Sequence, residues 1–470
     1  MVMTANKTKI ALVNSPLLLD VGHHPLFPPL GLAYMAGVLE KNGFEVKIYD
    51  CPVCQMDHEK LKAELGAFQP TIVGIGSMTP TIESAFKSAR VAKEACPDAT
   101  VVMGGPHATF AGEQILTDEK TVDIIVRGEG EETLLELAKQ APNIMPNIGE
   151  VKGTTFRRDS QVVQAPNRPF IEDLDALPRP AYQYLQVDRY RIYGRKLLPM
   201  MSSRGCPFQC SFCVASQMFG AKFRARSPNN VLDEMEWLRD TYGAEGITFQ
   251  DDTLTFDRKR AVEICDGILQ RKINLPWGCG TRADLVSEEL LAKMSRAHCN
   301  EICFGVESGC QRIRDALKKR VTTAQCENAI KWAKAAGIFV TASIIIGYPG
   351  ETKESLQETL DFVRRVEPDD VYLNHATPYP GTELRALIES FGWKMVEDWK
   401  LYNTMSPIFE DPSLPAREIA QMRKSFYDKF YSAGYIMRQG VKGYVKGNLY
   451  SKIMARTAAN YMLWRVRSGM

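Results

Sequence analysis

Cys206-Pro-Phe-Gln-Cys210-Ser-Phe-Cys213 puts three thiols in one short loop directly after the apolar run Leu197-Leu198-Pro199-Met200-Met201. No other feature constrains the chain so tightly. The start Met1-Val2-Met3-Thr4-Ala5-Asn6-Lys7 lacks the charged-then-apolar pattern of a secretory signal, and no run nears the roughly 20 apolar residues of a membrane span. The expectation is a cytoplasmic protein with no transmembrane segment. Its 12 cysteines are then candidates for metal ligation before disulfides. Three thiolates can hold three irons of a [4Fe–4S] cubane and leave the fourth open to a substrate, whereas a ferredoxin-type cluster or a zinc site wants a fourth ligand nearby. Structural or zinc-binding cysteines are the alternative.

A thiol loop at the end of a strand calls for a scaffold of repeated strands. From Leu198 apolar strands read near 198–203, 246–251, 275–280, 301–306, 339–346 and 370–375, with helices between. Six such units fit a partial (β/α)6 barrel whose site lies at the strand C-terminal ends. Upstream, strands at Lys9–Asn14, Glu45–Asp50, Thr71–Gly76, Thr100–Gly104 and Asp123–Arg127 alternate with helical stretches. Ile72-Val73-Gly74-Ile75 and Val101-Val102-Met103 are continuous apolar runs, as in a sheet covered on both faces. The fold class is therefore α/β: a doubly wound, Rossmann-like parallel sheet, then the partial barrel, then a mainly helical C-terminal region. The expected boundaries are 1–150, a proline-rich linker 151–197 with a small hairpin around 151–164, 198–385 and 386–470.

The cysteine spacing resembles the signature of the radical S-adenosylmethionine (SAM) superfamily, over residues 198 to about 385. The resemblance implies that Cys206, Cys210 and Cys213 hold a [4Fe–4S] cluster and that its open iron is chelated by SAM, which is cleaved to a 5′-deoxyadenosyl radical. It implies SAM contacts from Phe212 beside the adenine, from Asp251 and Asp252 ending the second strand, and from Glu307 and Ser308 ending the fourth. Ile346, Gly347 and Glu351, ending the fifth strand, complete the set. Glu307 shows no obvious partner in its local sequence and is expected to accept hydrogen bonds from the ribose. Arg282 and Lys319 can face the same site, with a solvated or salt-bridged role favoured.

Pro28-Pro29-Leu30-Gly31-Leu32-Ala33-Tyr34, Gly104-Gly105-Pro106-His107-Ala108-Thr109 and Arg127-Gly128-Glu129-Gly130-Glu131 extend the resemblance to the cobalamin-binding radical SAM family. That family includes C-methyltransferases and is related to the anaerobic magnesium-protoporphyrin ester cyclase. Independently, Gly104 and Gly105 permit close backbone approach to a planar ligand, and the loop at Gly128 and Glu129 can present N–H groups at a helix start. No Gly-x-Gly-x-x-Gly follows the first strand, which counts against a dinucleotide. The Asp-x-His-x-x-Gly motif that ligates cobalt is absent, and Asp20-Val21-Gly22-His23-His24 has the wrong spacing. Ser77, Met78 or Thr79 is expected beneath cobalt, with His107 a contact or a loop-stabilising residue. Cys51-Pro-Val-Cys54 reads as thiols at a strand end.

Between Arg423 and Met470 stand ten Lys or Arg and one acid, interleaved with aromatics. Helices packing an aromatic stripe that includes Tyr450, Met454, Tyr461 and Trp464 on the barrel are the favoured reading; docking of an acidic partner or a membrane surface, or closure of the open barrel over the substrate, are the others. Formal net charge is only +2, and no nucleic-acid partner is expected. The resemblance implies C-methylation of an unactivated sp3 carbon: cobalamin relays a methyl group from one SAM while a second SAM supplies the radical. It also implies an external electron donor, a ferredoxin or flavodoxin. A protein or peptide substrate is expected, with the glutamine of methyl-coenzyme M reductase one candidate. The alternatives are a cyclase or oxidase acting on a lipid or tetrapyrrole, and a cobalamin- or redox-sensing regulator.

Overall fold

The computed structural model describes residues 8–17, 27–192, 194–445, 451, 452, 454–456 and 459. His23 and His24 lie outside them, as do Tyr450, Tyr461 and Trp464 of the expected aromatic stripe. No helix of the described residues is long and apolar enough to cross a membrane.

The first sheet holds β1 Lys9–Asn14, β2 Glu45–Asp50, β3 Ile72–Gly76, β4 Thr100–Gly104 and β5 Ile124–Val126, all parallel, in the order β2-β1-β3-β4-β5. Both faces are apolar because successive residues alternate between two buried layers. Ala11, Val13, Val73, Ile75 and Met103 enter one layer; Ile10, Leu12, Ile72, Val102 and Ile124 enter the other. The order reverses between β1 and β3, which opens a crevice at their carboxyl ends where ligands of doubly wound sheets bind. The sheet runs past the boundary expected at 150: the hairpin β6 Thr154–Arg158 and β7 Gln161–Gln164 pairs antiparallel onto β5. Only the remainder of the expected linker, an irregular run with short 3-10 turns, leads to the second sheet.

The second sheet is β8 Leu197–Met200, then, after a two-stranded ribbon of β9 Ser203–Arg204 and β10 Arg224–Ala225, β11 Gly246–Phe249, β12 Trp277–Arg282, β13 Cys299–Glu307, β14 Phe339–Ile346 and β15 Asp370–His375. The six long strands are parallel in chain order and do not close, as a partial barrel requires. Local sequence sets the intervening helices. Ser227 accepts a bond from Asn230 N–H to start Pro228–Tyr242, and Gly243 at φ +62° ends it. Thr352 and Ser355 form a reciprocal cap at the start of Lys353–Val366.

An open barrel leaves β15 with an unpaired edge, which proteins usually cover. The helices Ala416–Phe430 and Ala433–Val445 do so. Leu373 N–H donates to the Tyr427 hydroxyl at 3.0 Å, Arg423 Nε donates to Leu373 O at 3.1 Å, and Tyr435 donates to Asp369 O at 2.6 Å. The aromatic residues between 426 and 435 therefore pack on the barrel. Between Ser390 and Ala416 the region expected to be helical is mostly irregular, apart from the short turn Trp399–Leu401.

Candidate functional site

The thiol loop, residues 205–223, leaves and re-enters the barrel through the ribbon of β9 and β10. Gly205 sits at φ +87°, and a Cβ there would overlap the carbonyl of Lys222, so the loop's neck requires glycine. Cys206 is buried, Cys210 half-buried and Cys213 exposed. Burial raises the pKa of all three thiols, Cys213 to about 11. At Cys210 the cations Lys319 and Arg282 oppose that rise. The Arg282 guanidinium lies 3.9 Å from Cys210 Sγ and 3.6 Å over the Phe208 ring, and pairs with Asp284 at 2.9 Å. Among the described residues no three His, Cys, Asp or Glu side chains are arranged around a single metal ion. Three thiols spread along one loop, one of them beside cations, fit an anionic cubane better than a mononuclear site.

The other expected SAM residues fall into two groups. Phe212 packs against the buried cluster that includes Ile345 and Tyr348; Ile346 ends β14 and Gly347 follows it. Asp252 is exposed beside Cys206 and Cys213, whose thiols both feel its charge; its own carboxyl is pushed up to about 6 by desolvation and then by Asp251. Ile346 is buried, but Asp252 is exposed and Phe212 and Gly347 are half-buried, so these three are open to a ligand.

Asp251, Ser308 and Glu351 are not. Asp251 accepts from Ser202 N–H at 2.8 Å, from Ser202 Oγ at 2.6 Å and from Ser203 Oγ, so it fastens the end of β11 to the strand that feeds the thiol loop. Ser308 is fully buried against Thr359 Oγ1 at 3.0 Å. Glu351 turns back to accept from Gly347 N–H, and burial pushes its carboxyl up to about 7. Glu307 corrects another expectation, for it has a partner. A bulge in β13 puts it at φ +64°, with Oε1 2.7 Å from Lys319 Nζ and both side chains buried. A Cβ at Gly305 would overlap both charged groups. Lys319, expected only to face the same site, supplies that partner from 12 residues away. Arg282 and Lys319 are salt-bridged and buried rather than solvated.

At the rim of the first sheet the backbone is presented and the side chains are withdrawn. Gly105, at φ +98°, approaches so closely that a Cβ would meet Ser77 O at 2.5 Å. Ser77 spends its hydroxyl on Gly104 O at 2.8 Å. Thr79 is buried with Oγ1 3.1 Å from His107 Nδ1, and the His107 ring meets Trp399 edge-on with centroids 5.0 Å apart. Desolvation and then Arg385 push His107 down to about 4, so it is a neutral, loop-stabilising residue and not a free contact. Of the three expected beneath cobalt, only Met78 is exposed, at 61%. Gly128 adopts φ +67°, and two cavities of about 620 and 270 Å³ adjoin Thr109, Phe110 and Arg127. Small residues, positive φ angles and open space at the carboxyl ends of parallel strands fit a large planar cofactor. Cys51 and Cys54 carry free thiols at the end of β2, as expected.

Glu129, expected at the cobalamin, instead points to the barrel. Its carboxylate accepts from Arg204 at 3.1 Å, Arg224 at 2.9 Å and Ile171 N–H at 2.8 Å, while Glu131 pairs with Arg204 at 2.5 Å. No local pattern in the sequence points to Arg204 and Arg224, because their charged partners lie 73 to 95 residues away.

The radical SAM superfamily model matches residues 200–363 and the B12 binding domain model matches residues 24–138. The chain is 32% identical over 431 residues to an uncharacterized methyltransferase of Pyrococcus horikoshii, covering 89% of this chain and 94% of the relative. It is 34% identical over 420 residues to an anaerobic magnesium-protoporphyrin IX monomethyl ester cyclase of Cereibacter sphaeroides, covering 86% and 67%. In fold it is similar to the radical SAM methyltransferase TsrM from Kitasatospora setae, solved with cobalamin and a [4Fe–4S] cluster, at a TM-score of 0.75 and 17% identity over 97% of this chain and 100% of that one.

Proposed function

This chain belongs to the cobalamin-binding radical SAM family, and on that premise we propose that it transfers a methyl group from SAM to an unactivated sp3 carbon of a protein or peptide. One observation carries the reading: the carboxyl ends of both sheets meet, with the glycine-rich rim of β4 and β5 joined to the thiol loop through Glu129 and Arg204. A cobalamin on one rim and a cluster in the other would then share one space.

When bound, the cluster and cobalamin supply the electron that cleaves SAM and the relay for its methyl group. The chain's residues do the rest. Cys206, Cys210 and Cys213 would hold the cluster, and with only three thiols in the loop SAM would bind beside it. Arg282 and Lys319 offset the negative charge that the thiolates bring. Asp252 receives the SAM ammonium, Glu307 the ribose hydroxyls, and Phe212 with Ile346 and Gly347 flanks the adenine. Met78, exposed at the rim of the first sheet, would contact the corrin there. A low-potential ferredoxin or flavodoxin supplies electrons.

The basic stretch after Arg423 supports an acidic protein or peptide as substrate. The 34% identity to a magnesium-protoporphyrin ester cyclase favours, as a second reading, oxidation or ring closure on a tetrapyrrole. Anaerobic incubation of reconstituted protein with SAM and each substrate class, followed by mass spectrometry, separates them. A peptide heavier by one methylene supports the first reading. A tetrapyrrole that gains a ring without gaining carbon would replace it with the second.

A further inference from the structure

The thiol loop is held at its neck by two arginines, one on each strand of the ribbon. Arg204 on β9 immediately precedes Gly205 and Cys206, and Arg224 on β10 follows the loop. Both reach out of the barrel to Glu129 and Glu131, which stand after β5 on the rim expected to carry the corrin. Arg204 bonds Glu129 at 3.1 Å and Glu131 at 2.5 Å; Arg224 grips both oxygens of Glu129, at 2.9 and 3.1 Å. All four side chains are at most 7% exposed. Burial opposes the Arg204 charge, but Glu131 and Glu129 outweigh it and raise its pKa. The Arg204 guanidinium also lies 5.6 Å over the ring of Tyr34, on the first helix of the N-terminal sheet.

Two cations and two anions balance, yet burying four charges is a poor way to gain stability, because desolvation offsets most of the attraction. What such a cluster does supply is a single geometry. Forked guanidinium–carboxylate contacts tolerate little sliding or rotation, unlike an apolar interface. The thiol loop and the rim at Gly128 are therefore locked in one register.

Resting on the function read above, we propose that Glu129, Glu131, Arg204 and Arg224 are positioning residues that set the separation and orientation of cobalt relative to the cluster. Their charged groups are engaged with one another. They act by fixing the loop that carries the cysteines against the rim that carries the corrin, which is where transfer from SAM to cobalt is sensitive to small displacements.

The test uses the full chain reconstituted with iron, sulfide and cobalamin. Glu131→Gln leaves Arg204 partly unpaired in the interior, so a second variant, Arg204→Met with Glu131→Met, removes both charges and keeps the volume filled. Four quantities are read: bound iron and cobalamin, the magnetic interaction between Co(II) and the reduced cluster, deoxyadenosine release, and S-adenosylhomocysteine release. In the double variant, cofactor content and deoxyadenosine release should stay within twofold of the parent. S-adenosylhomocysteine release should fall at least tenfold, and the Co(II)–cluster interaction should weaken or broaden. An unchanged interaction with an unchanged product ratio overturns the proposal. Loss of iron from the double variant overturns it too, since the arginines would then merely hold the loop together. A parent protein that binds no cobalamin and releases neither product would instead refute the function on which the proposal rests.

Discussion

Both halves of this molecule place their candidate sites at the carboxyl ends of parallel strands, yet they build them from different materials. The barrel presents side chains: three thiols, Asp252 beside them, and the Glu307–Lys319 pair behind. The N-terminal sheet presents backbone: Gly105 and Gly128 at positive φ, with Ser77 turned onto Gly104 and Thr79 and His107 onto each other. A site that must ligate metal needs particular atoms, whereas a site that must receive a broad planar ring needs clearance. The two should fail differently under mutation.

The largest effect is expected in the barrel. Replacing Cys206, Cys210 and Cys213 together with Ala should reduce bound iron and deoxyadenosine formation to background while cobalamin binding remains, because the thiols lie on the loop between β9 and β10 and not on the rim at Gly105. A full [4Fe–4S] absorbance in that triple variant would break the comparison at once. Next is Gly105→Val. A β-branched residue at φ +98° costs about 1–3 kcal/mol in backbone strain, and its Cβ, forced against Ser77, costs about as much again. Cobalamin retention should be lost with iron content intact. If Gly105→Val holds cobalamin as the parent does, the rim is not the corrin's seat.

The contrast also explains what can be read from the residues alone. The strands, their parallel order and the thiol loop are visible because apolar periodicity and cysteine spacing are local. Asp251, Ser308 and Glu351 look equally suited to bind SAM, since a polar residue at a strand end can face either the cavity or its own loop. Only the positions of Ser202, Thr359 and Gly347 decide that they face inward. Glu129 looks like a ligand of cobalamin for the same reason, and its true partners lie 75 and 95 residues away. The hairpin β6–β7 is legible as an element, but its allegiance to the first sheet depends on pairing with β5, which no local pattern encodes.

Glu307 sharpens the barrel side of the comparison. Glu307→Gln removes the charge that balances Lys319 in the interior, and breaking a buried pair in this way costs about 3–5 kcal/mol. Thermal unfolding should report that loss. SAM affinity should fall about tenfold as well, since one charge-assisted bond to a ribose hydroxyl contributes about 1.5–3 kcal/mol. Lys319→Met distinguishes the two roles, because it leaves the carboxylate in place for the ribose. If Glu307→Gln and Lys319→Met both lose stability and both bind SAM like the parent, Glu307 serves the fold and not the ligand.

The smallest expected effect sets two buried aspartates against each other, one at each rim. Burial raises the Asp251 carboxyl in the barrel too, but one N–H, two hydroxyls and the Arg260 charge oppose that rise. Asp50, ending β2, accepts only from Asn14 Nδ2 at 2.8 Å, and its Oδ2 finds no donor among the described residues. Burial accordingly pushes the Asp50 carboxyl up to about 6, from a usual value near 3.8, against the opposing pull of Asn14. A carboxyl raised on folding holds its proton longer in the native state than in the unfolded one. Its contribution is therefore fully present below the unfolded value and is lost as pH rises through the folded value. Between about pH 4 and 6 the native protein should lose about 2–3 kcal/mol for this reason, because each pH unit separating the two values is worth about 1.4 kcal/mol. Asp50→Asn keeps the shape, can still bond Asn14, and has no charge to bury. It should remove that slope and raise the melting temperature at pH 7, while the same change at Asp251 strips Arg260 of a compensating charge and gives no gain. Melting curves of both variants at about pH 4.5 and pH 7 decide the matter: an Asp50→Asn protein that melts below the parent at pH 7 would mean that the carboxylate is paired and charged in the native state.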